Sequence, residues 1–346
     1  ARHGVRVAII DSGEPPATNA AAGMLAPSFE RSLHKAGEAL ARFSEESLRL
    51  WRETALQLEE RSGVGVDFDD SGALSVIFDD REAAAFEKDA DGGEWLDRQN
   101  VLDLEPALAP SVMAGRFAKG NGQVDPRRVL LALEKAFERE GGTLRRGERV
   151  VAVGSSVGRT TGVRLQQDEA LDAHHVVIAT GARIDGIADF PRGACFPVKG
   201  EAVALARGDG SPSRVVRTSR AYLCPKSDGR IVVGATEIKD DWSLTTDEAR
   251  IAALKSGAVA ACPALSRAAE IERWAGLRPA TKDGAPIIGP APEGPDGLLY
   301  ALGHYRNGVL LAPATAAAIA EFITNGRLLP SIAAFSAARF TSLGVS

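Results

Sequence analysis

Cysteine is scarce in this chain: Cys195, Cys224 and Cys262 are all that its 346 residues contain. An odd number at such wide spacing supports neither a disulfide framework nor a zinc knuckle. No block of like charge occurs either, since 41 basic residues stand against 46 acidic ones for a net charge of -5. Such a balance argues against a nucleic-acid surface and leaves a small molecule as the expected partner. No run reaches the roughly 18 apolar residues of a membrane span. The best stretch, Gly308 to Ala320, contains Pro313 and mostly small side chains. The start shows no export signal, so a cytoplasmic, reducing setting is expected. His174 and His175 have no matched ligand set around them, and no metal is expected.

What is present is enough for a substantial core, with 45% hydrophobic residues and a length that allows one large domain or two smaller ones. Gly4 to Asp11 reads as a short buried strand ending in a carboxylate, and Ala1-Arg2-His3 as the last turn of a helix closed by Gly4. In a dinucleotide-binding unit such an Asp accepts hydrogen bonds from a ribose, although a strand ending in Asp is common in any α/β protein. Ser12 to Phe29 is rich in Pro, Ala and Gly, and the small residues of Asn19 to Leu25 would let backbone approach a flat ligand. A long helix is predicted over Ser32 to Arg61, with Leu33, Leu40, Phe43, Leu48, Trp51 and Leu58 as its apolar stripe and a purely structural covering role.

Alternation over Val66 to Phe78 predicts a hairpin, and Asp80 to Gln99 a charged helix. Asp125 is placed to cap a helix with Pro126 at its first position, ending at Gly141-Gly142. Strands are predicted over 147–154, 162–166 and 173–178, the last running into Ala179-Thr180-Gly181-Ala182, where backbone would come close to a ligand or a crossing chain. Further strands are predicted at 197–201, 213–218, 221–225 and 229–236, and a helix over 247–262. No polar or Pro-rich spacer divides the chain, so two interleaved sheets are expected rather than two halves.

The most informative stretches are Trp274 to Pro279, Thr281 to Gly284 and Gly303 to Pro313. They offer Arg278 and Arg306 in glycine-bounded turns just before a helix of small residues. Two such arginines suit a small carboxylate held beside a negatively polarised cofactor edge. For Arg278 the alternative is a structural salt bridge, for Tyr222 a half-buried strand aromatic, and for the helix start at Gly308 a turn that merely begins well.

Together with Val5 to Asp11, Ala20 to Pro27, Gly122 to Pro126, Val177 to Ala182, Pro197 to Gly200, Tyr222 to Lys226 and Val232 to Thr236, these stretches form an ordered set. The set resembles glycine oxidases, the ThiO-type branch of the D-amino-acid oxidase family of FAD enzymes. The resemblance implies an α/β fold, α+β in its second part: a Rossmann-like FAD-binding domain (1–65, 120–195 and 276–335) interleaved with a substrate domain on a mixed or antiparallel sheet (66–119 and 196–275). The family's first strand and Gly-x-Gly-x-x-Gly turn are expected upstream, in about 20 to 30 further residues. Arg278 then corresponds to the grip on the substrate carboxylate, Tyr222 to a hydroxyl added to that grip, and Arg306 to the second active-site arginine. Met24 would pack above the flavin, and His304 would be a packing or hydrogen-bonding residue at the pocket. Asp11, Ala21, Ala22, Gly23, Met24, Val151, Thr180, Gly181, Gly276, Arg306, Asn307, Gly308, Val309 and Leu310 would line FAD.

Glu237 and Arg220 depart from the family pattern, Glu237 standing where glycine oxidases can present an apolar residue. Either could alter substrate size or charge preference. The implied activity is oxidation of glycine or another small amino acid to an imine, with dioxygen reduced to hydrogen peroxide, in a homodimer or homotetramer supplying the thiazole of thiamine. The alternatives are a D-amino-acid or secondary-amine dehydrogenase with a quinone or carrier acceptor, and a cofactor-free relative used for binding.

Overall fold

The computed structural model describes residues 4–29, 37–88, 93–184, 186–187, 190 and 193–341. The helical turn expected at Ala1 to His3, and Leu33 with the first residues of the long helix, lie outside them. Two parallel strand pairs mark the Rossmann-like part: β1 (Ala8–Asp11) with β7 (Thr143–Arg146), and β11 (Val176–Ile178) with β19 (Leu298–Leu302). From β19 the sheet continues antiparallel into β18 (Ile287–Pro290). An antiparallel sheet of β8 (Val150–Ser156), β9 (Arg159–Leu165) and β10 (Ala170–Asp172) stands beside them.

The segment leading into β1 is not the buried run that its sequence suggests. Val5, Val7 and Ile9 are 38%, 38% and 44% exposed, and Val177 of β11 is 38% exposed. Among the described residues, β1 and β11 each have a single strand neighbour, so their apolar side chains lack cover on the other side.

Three helices pack around the largest core: α2 (Gly37–Ser62), α5 (Pro126–Arg139) and α7 (Gly308–Asn325), after the single turn α1 (Ala17–Ala20). Helix α2 buries Leu40, Phe43, Trp51 and Leu58 and half-buries Leu48, as its stripe requires. Helix α5 starts as expected, because Asp125 Oδ1 accepts from the N–H groups of Arg127 and Arg128 at 2.9 and 3.2 Å, and Pro126 has no N–H to lose. The stretch Tyr305–Asn325 does reach spanning length, and an 18-residue window of it has a mean hydropathy of 1.3. Its Leu310, Leu311, Ala314 and Ala318 are core residues against α2.

A nine-stranded mixed sheet carries the rest. Its order is β16 (Ile238–Lys239), β12 (Cys195–Ala206), β15 (Arg230–Gly234), β14 (Tyr222–Pro225), β13 (Val215–Arg217), β3 (Ala73–Ile77), β5 (Ala114–Ala118) and β4 (Glu94–Asp97), and β17 (Glu270–Thr281) also pairs with β12. Every pairing is antiparallel except that of β13 with β3. Strand alternation gives the sheet two faces. Leu205, Leu223, Ile231 and Val233 point to one, under α4 (Arg98–Leu104) and α6 (Glu248–Ala261). Tyr222, Cys224 and Val232 point to the other, where Met24 and Trp274 cover them. Met24 lies on β2 (Met24–Leu25), which pairs with β6 (Gly122–Gln123). Two short helices, α3 (Asp80–Lys88) and α8 (Ala338–Thr341), complete the set.

Three local expectations are corrected. Residues 65–68 form no strand, because Asp67 turns left-handed at φ 59° and β3 pairs instead with β13 and β5. The helix expected over Asp80 to Gln99 is interrupted by β4, with Gly93 at φ 115° pressed against the Phe117 carbonyl, and Asp97 then caps α4. Trp274 to Pro279 is no turn, since β17 pairs with β12 in continuous register from Glu272 to Thr281, across the expected division at 275/276.

Candidate functional site

The pleat of the nine-stranded sheet assembles the site. Tyr222 stands opposite Gly234, and Gly234 opposite Ala202, which faces Trp274. One rung along, Gly200 faces Gly276, and one further Val198 faces Arg278. All these positions share a face, because each step of two residues returns to it. A Cβ added at Gly200 would lie 2.2 Å from Arg278 Nη1 and 2.4 Å from its Cζ, so the guanidinium lies flat on the glycine diagonal to it. A Cβ on Gly234 would sit 2.4 Å from the Tyr222 hydroxyl. These two glycines lie within runs that the sequence singles out, yet their role as seats is visible only in the cross-strand register.

Arg278 is further fixed by donating from Nη1 to the Thr236 carbonyl at 3.1 Å, and it hydrogen-bonds the Tyr222 hydroxyl. Burial pushes the Tyr222 phenol up to about 12, against the pull of Arg278 and Arg306, so it stays protonated at neutral pH. Thr236 is itself held: its hydroxyl accepts from the Glu201 N–H at 2.8 Å, and its N–H donates to the Glu201 carbonyl at 3.2 Å. Glu201 is fully buried, its carboxylate shared by Lys199 at 3.5 Å, Arg250 at 3.3 Å and the Asp247 N–H at 3.1 Å. Lys199 also holds Asp241 at 3.0 Å and Ser243 at 2.8 Å.

Arg306 sits on a short turn before α7, and Glu237 reaches it with Oε2 3.7 Å from Nη1. Met24 packs in the cluster that contains Tyr222 and Trp274. His304 Nε2 lies 3.0 Å from the Thr315 hydroxyl, and burial pushes its imidazole down to about 4, which leaves it neutral and a poor proton acceptor at pH 7. Arg220 is not brought to the site. It is exposed at the surface, with its Cβ against Gly257 of α6 on the opposite face of the sheet from Tyr222.

The expected cofactor residues fall into three groups. Asp11 is the last residue of β1 and Thr180-Gly181 lies just past β11, both at the carboxyl end of a strand in a parallel pair, the edge at which open α/β sheets bind ligands. Asp11 Oδ1 accepts from the Gly13 N–H at 2.9 Å. A Cβ at Gly181 would meet no atom within 4 Å, so space rather than packing surrounds it. The smallness of Gly23 and Gly276 has a different cause. A Cβ on Gly23 would meet the Val124 carbonyl at 2.1 Å, and one on Gly276 the Ala20 Cβ at 2.1 Å, so both serve the approach of chain to chain. Trp274 Nε1 ties the same segment down by donating to the Ala20 carbonyl at 3.1 Å. Val151 is half-buried on β8.

The third group is the start of α7, Asn307 to Leu310, where the Asn307 N–H donates to the His304 carbonyl at 2.9 Å, no side chain caps the first turn, and the positive end of the helix dipole lies. Pro313 lacks the N–H that would bond the Val309 carbonyl. Helix α2 supplies the missing donor: Trp51 Nε1 donates to the carbonyls of Val309 at 3.0 Å and Leu310 at 3.1 Å. The Ser47 hydroxyl donates to the Leu310 carbonyl at 2.7 Å and accepts from the Ala314 N–H at 3.2 Å. The helix expected to be mere cover thus holds the first turn of α7 in place, and nothing in the apolar spacing of α2 announces this. A nucleotide cofactor fits these groups: a carboxylate that can accept from ribose hydroxyls, an open glycine beyond a strand end, and the positive end of a helix for its anionic part.

Such a set on an α/β sheet beside a paired arginine and tyrosine is that of a nucleotide-cofactor oxidoreductase. The family model described as FAD dependent oxidoreductase matches residues 1–322. The glycine oxidase of Bacillus licheniformis is 33% identical over 332 residues, covering 93% of this chain and 88% of that protein. The bifunctional protein ThiO/ThiG of Synechocystis sp. is 34% identical over 329 residues, and the chain spans 48% of that relative's length. Among solved structures, the glycine oxidase from Geobacillus kaustophilus superposes with a TM-score of 0.88 at 28% identity, over 96% of this chain and 92% of that one. The chain belongs to the FAD-dependent oxidoreductase family, with FAD as its cofactor. Membership decides against the cofactor-free alternative.

Proposed function

We propose that this protein is an amino-acid oxidase that acts on glycine or another small amino acid, giving an imine that hydrolyses to a 2-oxo acid and ammonia while dioxygen becomes hydrogen peroxide. The observation that carries this reading is the clamp: Arg278 and Tyr222, seated on Gly200 and Gly234, form a two-donor site sized for one carboxylate. Bound FAD supplies the two-electron acceptor that no side chain offers. Arg278 binds and orients the carboxylate, the protonated Tyr222 donates a further hydrogen bond, and Met24 with Trp274 keeps water from that face. His304, held neutral, takes no proton from the substrate, and the amine reaches its reactive neutral form by losing a proton to solvent.

In this reading Asp11, Ala21 to Gly23, Thr180-Gly181 and the first turn of α7 would hold FAD. Residues 1–65, 120–195 and 276–335 form the cofactor part, and 66–119 with 196–275 the substrate part. The relatives named glycine oxidase support the small amino-acid substrate, and the proposal extends to a place in thiamine thiazole synthesis and to a cytoplasmic homo-oligomer. The test offers glycine, sarcosine and D-alanine to the FAD-loaded protein under air and without it. Anaerobic bleaching of the flavin and aerobic peroxide equal to substrate consumed are expected. Bleaching without fast reoxidation by air would mean a dehydrogenase with another acceptor, and no bleaching by any of the three would sink the proposal.

A further inference from the structure

The charge at the mouth of this pocket is not what two arginines alone would make it. Glu237 directly follows Thr236, whose carbonyl receives the Arg278 guanidinium, and its carboxylate lies 3.7 Å from the Arg306 guanidinium. Arg278 and Arg306 both pull against the burial of the Tyr222 phenol, and Glu237 pairs with the second of them. The backbone that carries Glu237 is fixed through Thr236 by the buried Glu201, while the Glu237 side chain remains 44% exposed and within reach of a ligand. Its neighbours on the same segment do not share that position: Lys239 is exposed, and Asp241 is tied to Lys199.

We propose that Glu237 is the charge filter of the substrate pocket, selecting amino acids whose end remote from the α-carboxylate is cationic and rejecting those that carry a second carboxylate there. The inference rests on the carboxylate clamp described above. Arg278 and Arg306 without Glu237 would present two positive groups, which suits a dicarboxylic substrate. With Glu237 paired to Arg306, a remote carboxylate meets a like charge, whereas a remote ammonium gains a partner. At separations of about 6 Å and an effective dielectric near 20, each such contact changes affinity by roughly tenfold to a hundredfold.

Three unreactive carboxylates of equal chain length test it: butyrate, succinate and 4-aminobutyrate, which differ only in the charge of the far end. Each is titrated into the FAD-loaded protein and followed by the flavin absorption change, in the native protein and in Glu237→Gln and Glu237→Met. The native protein is expected to bind 4-aminobutyrate most tightly and succinate most weakly, with the ratio between them shrinking at least tenfold in both variants. Native binding of succinate as tight as that of butyrate would overturn the filter, a result that needs no variant to fold. So would a ratio that stays within twofold on substitution. If none of the three perturbs the flavin, the clamp itself is wrong and the filter falls with it.

Discussion

Arg278 owes its position to a side chain that is not there. Gly200 provides the floor on which the guanidinium lies, and because the clash in Gly200→Ala is with the far end of a flexible side chain, the fold should survive while the clamp is displaced. We expect Gly200→Ala to retain FAD and to lower kcat/KM for a small amino acid about 30-fold to several-thousand-fold, comparable to Arg278→Ala, which removes roughly 2 to 5 kcal/mol of charged hydrogen bonding. Arg278→Lys should also fall well short of the native protein, since the ammonium cannot bond a carboxylate with two parallel N–H groups. A Gly200→Ala protein with native KM would show that the guanidinium needs no such seat. His304 makes a prediction of another kind. Its imidazole ordinarily titrates near 6.5 and is pushed down to about 4 in the fold. Between those values the unfolded chain takes up a proton that the folded one refuses, so stability falls as pH drops through that window. His304→Gln, which does not titrate, should lose less melting temperature between pH 7 and pH 4.5 than the native protein; equal losses would contradict the burial of His304.

At the scale of elements, α2 and α7 behave as one unit. Trp51 and Ser47 answer the carbonyls and the amide that Pro313 disturbs, and they do so beside the helix start expected to face the cofactor. Trp51→Phe keeps the apolar ring but leaves the part-buried Val309 carbonyl without a donor, which should cost about 1 to 3 kcal/mol in denaturant unfolding. In a Pro313→Ala background the helix regains an N–H at that point, so the same substitution should cost measurably less. A Trp51→Phe penalty independent of residue 313 would mean that packing, and not the orphaned carbonyl, is what Trp51 serves. The apolar stripe of α2 and the Asp125-Pro126 start of α5 were both legible, because helix periodicity and capping are local. The strand at Glu94–Asp97, within the span expected to be one helix, was not, because the Phe117 carbonyl that crowds Gly93 comes from a strand more than 20 residues away.

Over the whole molecule, the nine-stranded sheet is pinned to β6 and to the start of α5 by buried polar contacts. The Lys226 ammonium is 1% exposed and donates to Gln123 Oε1 at 2.8 Å and to the Val124 carbonyl at 2.7 Å, while Gln123 Nε2 donates to the Pro225 carbonyl at 2.7 Å. Arg230 of the nine-stranded sheet pairs with Asp125, the cap of α5. Far-UV circular dichroism and flavin fluorescence should therefore report one unfolding midpoint. Lys226→Met, which strands two buried acceptors, should lower stability by about 2 to 4 kcal/mol. Two separated transitions in the native protein would show that the sheets are thermodynamically independent.

The sequence by itself determined what depends on neighbours along the chain: the helix caps, the strand runs of the substrate sheet, the ordered motifs that mark the family, and Arg278, Tyr222 and Arg306 as the residues to watch. Tertiary structure decided whatever depends on register. Gly200 and Gly234 become seats only because β12, β14, β15 and β17 align as they do, and Arg220 is turned away because it packs on α6 at the far face of the sheet. Gly23 and Gly276 have no room for a side chain because chain packs on chain there. The reason is physical: a strand's side chains alternate with a period of two whatever their partners, but which residues meet across strands is set by pairings between segments tens of residues apart.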